Sequence, residues 1–491
     1  AGLGTSEVFK VGRSTQLIID SGDGEWREGL EVAQQEYRRA IEFGFTQAEV
    51  DEQLANLRSS LENNLLGAET RSNASFITGA LTLLESGQIP TTPESALMRF
   101  EEHLPLITPG SVLEALKEEL VPLENPLIRF EGRREPEGGA RALRESWKAG
   151  LSAQLTAPEG VSAAQWGYTD FGTAGTVVSD TVEPLLGVRK LVFSNGLKVS
   201  MKKTDLRQDS ISLKLSIDGG QMLNTREAPL TTAMTASLPL GGLGKHTLDE
   251  LQSIRAGRSV SLSIAAADET FAIGGITTPR DLELQLQLVA AAVVDPGYRP
   301  QGESAYRRNT RNFFASLTAT PESALQDALG GIISDNDPRF TRAPLEDYLD
   351  LTFARLRNDI SDRLGRGAME LAVVGDFDEG RAIELIARTL GSLPQREAEF
   401  QAYSDNRQRT FTAAAWLPTI FHDGPAARAI VRFTWPTRDD SDFTEELKLE
   451  LLERVMRPAL TDTLREELGQ TYSPGVNASE SEVYPGYGTF T

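Results

Sequence analysis

The sequence predicts an α+β fold made of repeated domains, each an antiparallel sheet with helices packed on it. Three observations carry this expectation. The chain has 491 residues, more than one hydrophobic core of roughly 250–300 residues accommodates. Its strand signals come as hairpins and clusters, with the helical stretches set apart from them. A set of strand, long helices and closing strand comes early, and the chain stops about where such a set would come next. The expected division is the back part of one domain over 1–131, a linker over 132–187, a nearly whole domain over 188–367 and the front part of another over 368–491.

In the first segment, residues 14–20 (STQLIID) alternate and are rich in β-formers, which predicts a strand. Trp26, Leu30, Ala33, Tyr37, Ala40 and Ile41 then recur at helical spacing, and Gly44 stops that helix. Thr46-Gln47-Ala48-Glu49 is a capping box that opens a second long helix through Leu65. Helices are expected over 73–86, 93–103 and 109–120, and a closing strand over 126–131. Residues 132–182 are weakly patterned and read as a partly ordered connector with one short helix near 140–149; the alternative is that Trp166, Tyr168 and Phe171 pin it against a neighbouring domain.

The next unit opens with a hairpin, 191–193 and 197–202 around Asn195-Gly196, a pair suited to the left-handed conformations of a tight turn. Strands follow at 211–217, 259–264 and 270–276, and helices at 229–240, 248–256, 281–294, 304–317, 321–334, 345–351 and 352–364. In the last unit, 370–374 reads as an opening strand and 380–390 as a helix. Residues 429–435 (AIVRFTW) read as another strand, and 444–464 as a long helix with a kink expected at Pro458. The end, Gly486-Tyr487-Gly488-Thr489-Phe490-Thr491, reads as a strand interrupted, so the chain is expected to be a piece of something longer, cut at both ends.

Composition excludes several functions. Asp plus Glu is 71 against 49 Lys plus Arg, a net charge of −22. Nucleic acid is not an expected partner, because phosphate binding needs a cationic face. There is no Cys, so disulfides, thiol nucleophiles and thiolate metal sites are ruled out. His103, His246 and His422 are the three histidines, too far apart in sequence to form a local metal motif. The longest mostly apolar stretch, 282–294, is too short to span a bilayer, so no membrane span is expected.

Four stretches resemble the insulinase-like (pitrilysin-type) zinc metallopeptidases. Phe193-Ser194-Asn195-Gly196-Leu197-Lys198-Val199 is similar to their opening hairpin. Ala372-Val373-Val374-Gly375-Asp376-Phe377-Asp378, with Leu393-Pro394 after a helix, resembles the start of one of their even-numbered domains. Leu464-Arg465-Glu466-Glu467-Leu468-Gly469-Gln470-Thr471-Tyr472-Ser473 resembles a motif of their C-terminal half, and Gly44-Phe45-Thr46-Gln47-Ala48-Glu49 a helix junction. The resemblance implies insulinase/mitochondrial-processing-peptidase-like domains arranged as a clamshell of two halves. It implies zinc on an H-x-x-E-H helix of the first domain and a peptide substrate.

This chain departs from the family at the decisive point. Neither H-x-x-E-H nor H-E-x-x-H occurs, and the helix that would carry it reads Pro229-Leu230-Thr231-Thr232-Ala233-Met234-Thr235-Ala236-Ser237. Thr, Ala and Ser cannot replace imidazole and carboxylate. The resemblance therefore implies a non-catalytic portion that binds no zinc itself. Its partner would be an N-terminal zinc-binding half, on the same polypeptide or a separate subunit.

In that setting Arg465 would bind substrate and Tyr472 would donate to the oxyanion. The plain alternative is that Arg465 meets a helix C-terminus and Tyr472 packs at a strand edge. A rival function is a non-catalytic scaffold or peptide-binding subunit of the same fold. A periplasmic location is the resemblance-based expectation, with the cytoplasm as alternative. His246 is expected in a loop or cap, His103 at a helix end, His422 in a turn, and Asp376 and Asp378 at a helix start.

Overall fold

A computed structural model describes residues 2–8, 11–22, 24–132, 135–157, 164–413, 417–469 and 474–491. The chain divides into two compact units. The first holds residues 1–166, 206–209 and 249–259, and the second the remainder.

Unit one begins with an antiparallel hairpin of β1 (Gly2–Val8) and β2 (Gly12–Ile18). Then come α1 (Trp26–Phe43), α2 (Gln47–Leu66), α3 (Asn73–Ser86), α4 (Pro93–His103), α5 (Pro109–Glu119), α6 (Gly139–Gly150) and α7 (Leu248–Arg255). The capping box forms: Glu49 N–H donates to Thr46 Oγ1 at 3.2 Å, and Thr46 N–H to Glu49 Oε2 at 2.7 Å. The core joins Trp26 and Leu30 of α1 to Ala142, Leu143 and Trp147 of α6. Helix α6 lies within the stretch expected to link domains, yet its apolar face at 142, 143 and 147 supplies three of the five buried residues of this core. Gln34 Nε2 donates to Trp147 O at 2.7 Å, and Arg38 Nη1 to Gly150 O at 2.8 Å, fixing the helix against α1. Residues 126–131 form no strand; Leu127 stands fully exposed.

Unit two is built on a seven-stranded sheet in the order β3-β4-β5-β9-β6-β8-β7. Its strands are β3 (Val177–Glu183), β4 (Val188–Phe193), β5 (Lys198–Lys203), β6 (Ile211–Asp218), β7 (Ser263–Ala266), β8 (Thr270–Thr277) and β9 (Met369–Gly375). Alternation sets the buried face: Val199 and Met201, Ile211, Leu213, Leu215 and Ile217, Phe271 and Ile273, and Met369, Leu371 and Val373. Helices cover that face, chiefly α8 (Leu282–Val294), with α9 (Pro300–Ser316), α10 (Pro321–Ile333), α11 (Leu345–Leu349), α12 (Phe353–Arg366) and α13 (Glu379–Arg388) in the same unit. Nearly every side chain of α8 is buried, which explains its continuous apolar run.

Strand β9 sits elsewhere than expected. It does not open a new domain but lies in the middle of this sheet, parallel to β5 and antiparallel to β6. Both faces of its pairing edges are therefore occupied, and the sheet is mixed rather than purely antiparallel. The 229–240 stretch is not an α-helix. It is a run of turns followed by a 3-10 turn, Thr235–Gly241, with Pro239 inside. Asn224 Oδ1 accepts from both the backbone and the hydroxyl of Thr232 at 3.1 Å, pulling the backbone out of helical register.

The chain ends in a second sheet of three short strands, β10 (Trp435–Thr437), β11 (Ala478–Glu480) and β12 (Gly488–Phe490), ordered β10-β12-β11, and helix α14 (Phe443–Leu460). Only the last residue of the expected 429–435 strand, Trp435, pairs; it faces Phe490. Helix α14 gives way after Pro458 to a π-helical turn, Thr461–Glu467. Pro removes one intrahelical N–H, and the widened turn follows within one helical repeat.

Candidate functional site

The hairpin residue Asn195 is buried and structural. Its Nδ2 donates to Leu390 O at 2.9 Å and Leu393 O at 3.1 Å, while its Oδ1 accepts from Leu197 N–H at 3.1 Å. Gly196 takes φ 91°, which the turn requires. Two of the four resembling motifs are therefore one contact in space.

Asp378 caps α13, its carboxylate accepting from Arg381 N–H at 2.7 Å. The cap explains the Gly-Asp turn without a cation. His103 Nδ1 donates to Arg99 O at 2.8 Å, and His422 lies in a turn where Nδ1 accepts from Gly424 N–H at 3.1 Å. His246 is 5% exposed and accepts from Gly167 N–H at 3.0 Å through Nε2. Beside it, Tyr168 OH donates to Asp295 Oδ2 at 2.7 Å and accepts from Lys245 N–H at 2.7 Å. Burial and the Asp295 hydrogen bond push the Tyr168 hydroxyl up to about 12. Of the three aromatics expected to pin this stretch, Tyr168 is the one with these contacts; the histidine beside it was not legible, because its partner is a backbone amide 79 positions away.

The residues at 229–237 do not fit a zinc ion. Met234 and Thr235 are buried, and the Thr235 hydroxyl has no hydrogen-bond partner among the described residues. Hydroxyl and methyl groups replace the imidazoles and carboxylate that zinc requires. Among the described residues no group of three or more His, Asp or Glu could hold a metal ion. No helix among them is long and apolar enough to cross a membrane.

Arg465 lies on the π-helical turn, its side chain 42% exposed and its Nε 3.3 Å from Glu466 Oε1. Gly469 N–H donates to Arg465 O at 3.2 Å, and Gly469 adopts φ 61°, so the turn ends on a left-handed glycine. Tyr472 lies outside the described residues. Downstream, Arg457 Nη2 donates to Val476 O at 2.9 Å and Glu453 Oε2 accepts from Ala478 N–H at 3.0 Å.

Sequence reasoning missed a hub between the sheet and the 396–412 segment. Asp218, at the end of β6, is fully buried. Its carboxylate accepts from Arg363 Nη1 at 3.1 Å, Tyr403 OH at 2.8 Å and Gln401 N–H at 2.9 Å. Arg363 also pairs with Glu397 at 2.8 Å and Asp362 at 2.5 Å. An acid ending a strand before Gly219-Gly220 was the available signal; its partners lie 145 and 185 positions away and had none.

Residues 350–491 match the family profile described as the peptidase M16 inactive domain. This stretch is similar to the M16 peptidases. The M16 assignment agrees with the resemblance carried by the hairpin, the 372–394 stretch and the Arg465 motif. The stromal processing peptidases of Pisum sativum and Arabidopsis thaliana, both chloroplastic, are 21% and 22% identical over 426 and 433 residues, 77% of this chain in each case. The chain spans 33% of the length of each. The crystal structure of the ferredoxin protease FusC, a mutant in complex with Arabidopsis ferredoxin, has a TM-score of 0.57 at 13% identity. It covers 95% of this chain, which spans 52% of FusC. The periplasmic protease PqqL of Escherichia coli has a TM-score of 0.52 at 13% identity, over 94% of this chain and 52% of its own. These structures share the α+β fold of the M16 peptidases.

Proposed function

We propose that this chain is the C-terminal, non-zinc-binding portion of an M16 metalloendopeptidase. It closes the substrate chamber, binds extended peptide against a strand edge, and supplies Arg465 and Tyr472 to a zinc site carried by an N-terminal half. That half is part of the same polypeptide or a separate subunit, and the assembled enzyme is periplasmic. The observation that carries the reading is the M16 inactive-domain match over 350–491, which includes Arg465 and Tyr472 at the spacing of the family motif.

The chemistry assigned to this chain's residues is limited. The Tyr472 hydroxyl donates a hydrogen bond to the oxygen that gains negative charge as the peptide carbonyl becomes tetrahedral. A fixed donor aimed at that charge is worth about 2.7–4 kcal/mol, or roughly 10²–10³ in rate. The Arg465 guanidinium, partly exposed on its turn, donates to a backbone carbonyl of the substrate.

The test is Tyr472→Phe in the complete enzyme. A fall in kcat of about 10²-fold with little change in KM is expected. Unchanged kcat sinks the assigned role. A complete assembly that binds peptide but never cleaves it would leave a scaffold instead.

A further inference from the structure

The helices of unit two pack on one face of the seven-stranded sheet. The other face is open to solvent. Alternation places Lys190 of β4, Lys198, Ser200 and Lys202 of β5, Ala372 of β9 and Lys214 of β6 on it, between the buried residues of each strand. The sequence holds ten lysines, and four of them, Lys190, Lys198, Lys202 and Lys214, share this face. A chain of net charge −22 thus gathers its few ammonium groups on one surface.

The pairing register sets two of these lysines in one row. Lys190 lies opposite Ser200, Ser200 opposite Ala372, and Ala372 opposite Lys214. The row runs on through Gly274 to Ser263, so it crosses β4, β5, β9, β6, β8 and β7. Lys190 and Lys214 stand three strand spacings apart, about 14 Å. Only the small side chains of Ser200 and Ala372 lie between them in the row. Beyond Lys214 the row enters a shallow hollow of about 260 Å³, whose lining includes Lys214, Ser263, Ala265, Ala272 and Gly274.

The other two lysines are engaged. Lys198 Nζ lies 2.9 Å from Glu399 Oε2 and 3.8 Å from Glu370 Oε1. Lys202 Nζ donates to Leu186 O at 2.5 Å. Glu183 faces Lys190 and Lys202, but its carboxylate accepts from Leu185 N–H at 2.9 Å and Leu186 N–H at 2.7 Å. Lys190 and Lys214 are exposed and make no ion pair or hydrogen bond among the described residues.

Two ammonium groups held apart over a flat floor suit a chain with several carboxylates. A single small anion needs donors that converge on one point instead. An extended chain advances about 3.4 Å per residue, so carboxylates four residues apart on one side of it also span about 14 Å. Nucleic acid is a poorer match, because the row has no aromatic side chain on which a base would stack.

We infer that the open face of this sheet binds an acidic peptide segment, with Lys190 and Lys214 taking carboxylates four residues apart. The inference names a substrate class for the peptide binding proposed above and rests on it. The negative field of the rest of the chain repels such a segment and steers it to this face.

The experiment uses the complete enzyme and two short labelled peptides. One carries two glutamates four residues apart, and the other has glutamine in their place. Binding is read by fluorescence anisotropy with the zinc chelated, and cleavage is followed separately with zinc present. Kd for the glutamate peptide should rise about fivefold in the double variant Lys190→Gln, Lys214→Gln, and by a similar factor between about 50 and 200 mM salt. The glutamine peptide should bind both proteins alike. Lys448→Gln, on exposed α14, should leave Kd within about twofold. An unchanged Kd in the double variant overturns the inference; the proposed function then stands if the wild type cleaves the glutamine peptide. If the complete protein cleaves neither peptide, the proposed function fails and the substrate class falls with it. Loss of a dimer in sedimentation on the same substitutions, with peptide affinity unmoved, would make the face a contact between copies and also overturns the inference.

Discussion

Asn195 donates to the carbonyl of Leu393 at 3.1 Å across 198 positions of sequence. The bond joins the tip of the β4–β5 hairpin to the turn after α13, and a second bond to Leu390 O braces it. A buried amide with three satisfied partners is costly to remove, because two carbonyls and an amide N–H then lose their bonds together.

Asn195→Ala should therefore destabilise unit two by about 2–3 kcal/mol. Urea unfolding followed by tryptophan fluorescence measures this. A midpoint shift equal to that of Ser194→Ala, which removes an exposed contact, would show that the bonds contribute nothing special.

Asp218→Ala should cost about 3 kcal/mol, since Arg363 would be left buried with part of its charge uncompensated. Glu397 still pairs with Arg363, so the loss stays below complete unfolding. Adding Arg363→Met to Asp218→Ala should recover stability, and thermal melts of the two single variants and the double one decide the matter.

Arg363 bonds hold the carboxyls of Glu397 and Asp362 below the ordinary carboxylate range. A carboxylate held low in the folded state stabilises the fold fully above its unfolded value, about 4, and less as pH falls through the folded one. The thermal midpoint should be level from about pH 7 to 5 and drop below about pH 4. Glu397→Gln should flatten that drop; an unaltered profile would remove Glu397 from the account.

Arg409 lies 3.9 Å over the ring of Phe340 and 4.1 Å over Tyr487, and burial lowers its pKa. Arg409→Ala should cost about 2–3 kcal/mol through lost packing and lost cation–π attraction. Arg409→Met keeps the volume and sheds the cost of burying charge, so its cost should be about 1 kcal/mol. Equal costs for the two would mean that charge, not packing, decides.

The parts of the fold legible in the sequence are those governed by neighbours along the chain. The capping box at Thr46 and Glu49, the Asn195-Gly196 turn and the apolar run of α8 all formed as their local chemistry dictates. What failed depended on distant partners. The β-formers at 126–131 met no strand, and 429–435 gained a partner only at Trp435. The 229–240 pattern failed for a local reason instead, yielding to Pro239 and to the Asn224 side chain eight positions before Thr232. At the candidate site, the turn at Gly469 was legible from the glycine itself, which takes φ 61° just after the helical turn that carries Arg465. The Glu453–Arg457 pair was invisible, because its partners are backbone atoms, which carry no residue signature.

The placement of β9 has a consequence for how the protein is made. Strands β3, β4 and β5 can pair among themselves, as can β6, β8 and β7, but only β9 joins the two groups. On the ribosome, Val199 and Met201 on one side and Leu213 and Leu215 on the other emerge well before Leu371 and Val373. Until residue 375 leaves the exit tunnel, two apolar half-sheets carry open edges toward each other and toward any neighbour. Such edges are where newly made chains aggregate, and closing them late, over a long sequence separation, is slow. A nascent chain stalled before Met369 should therefore hold chaperones longer than one stalled just past Gly375.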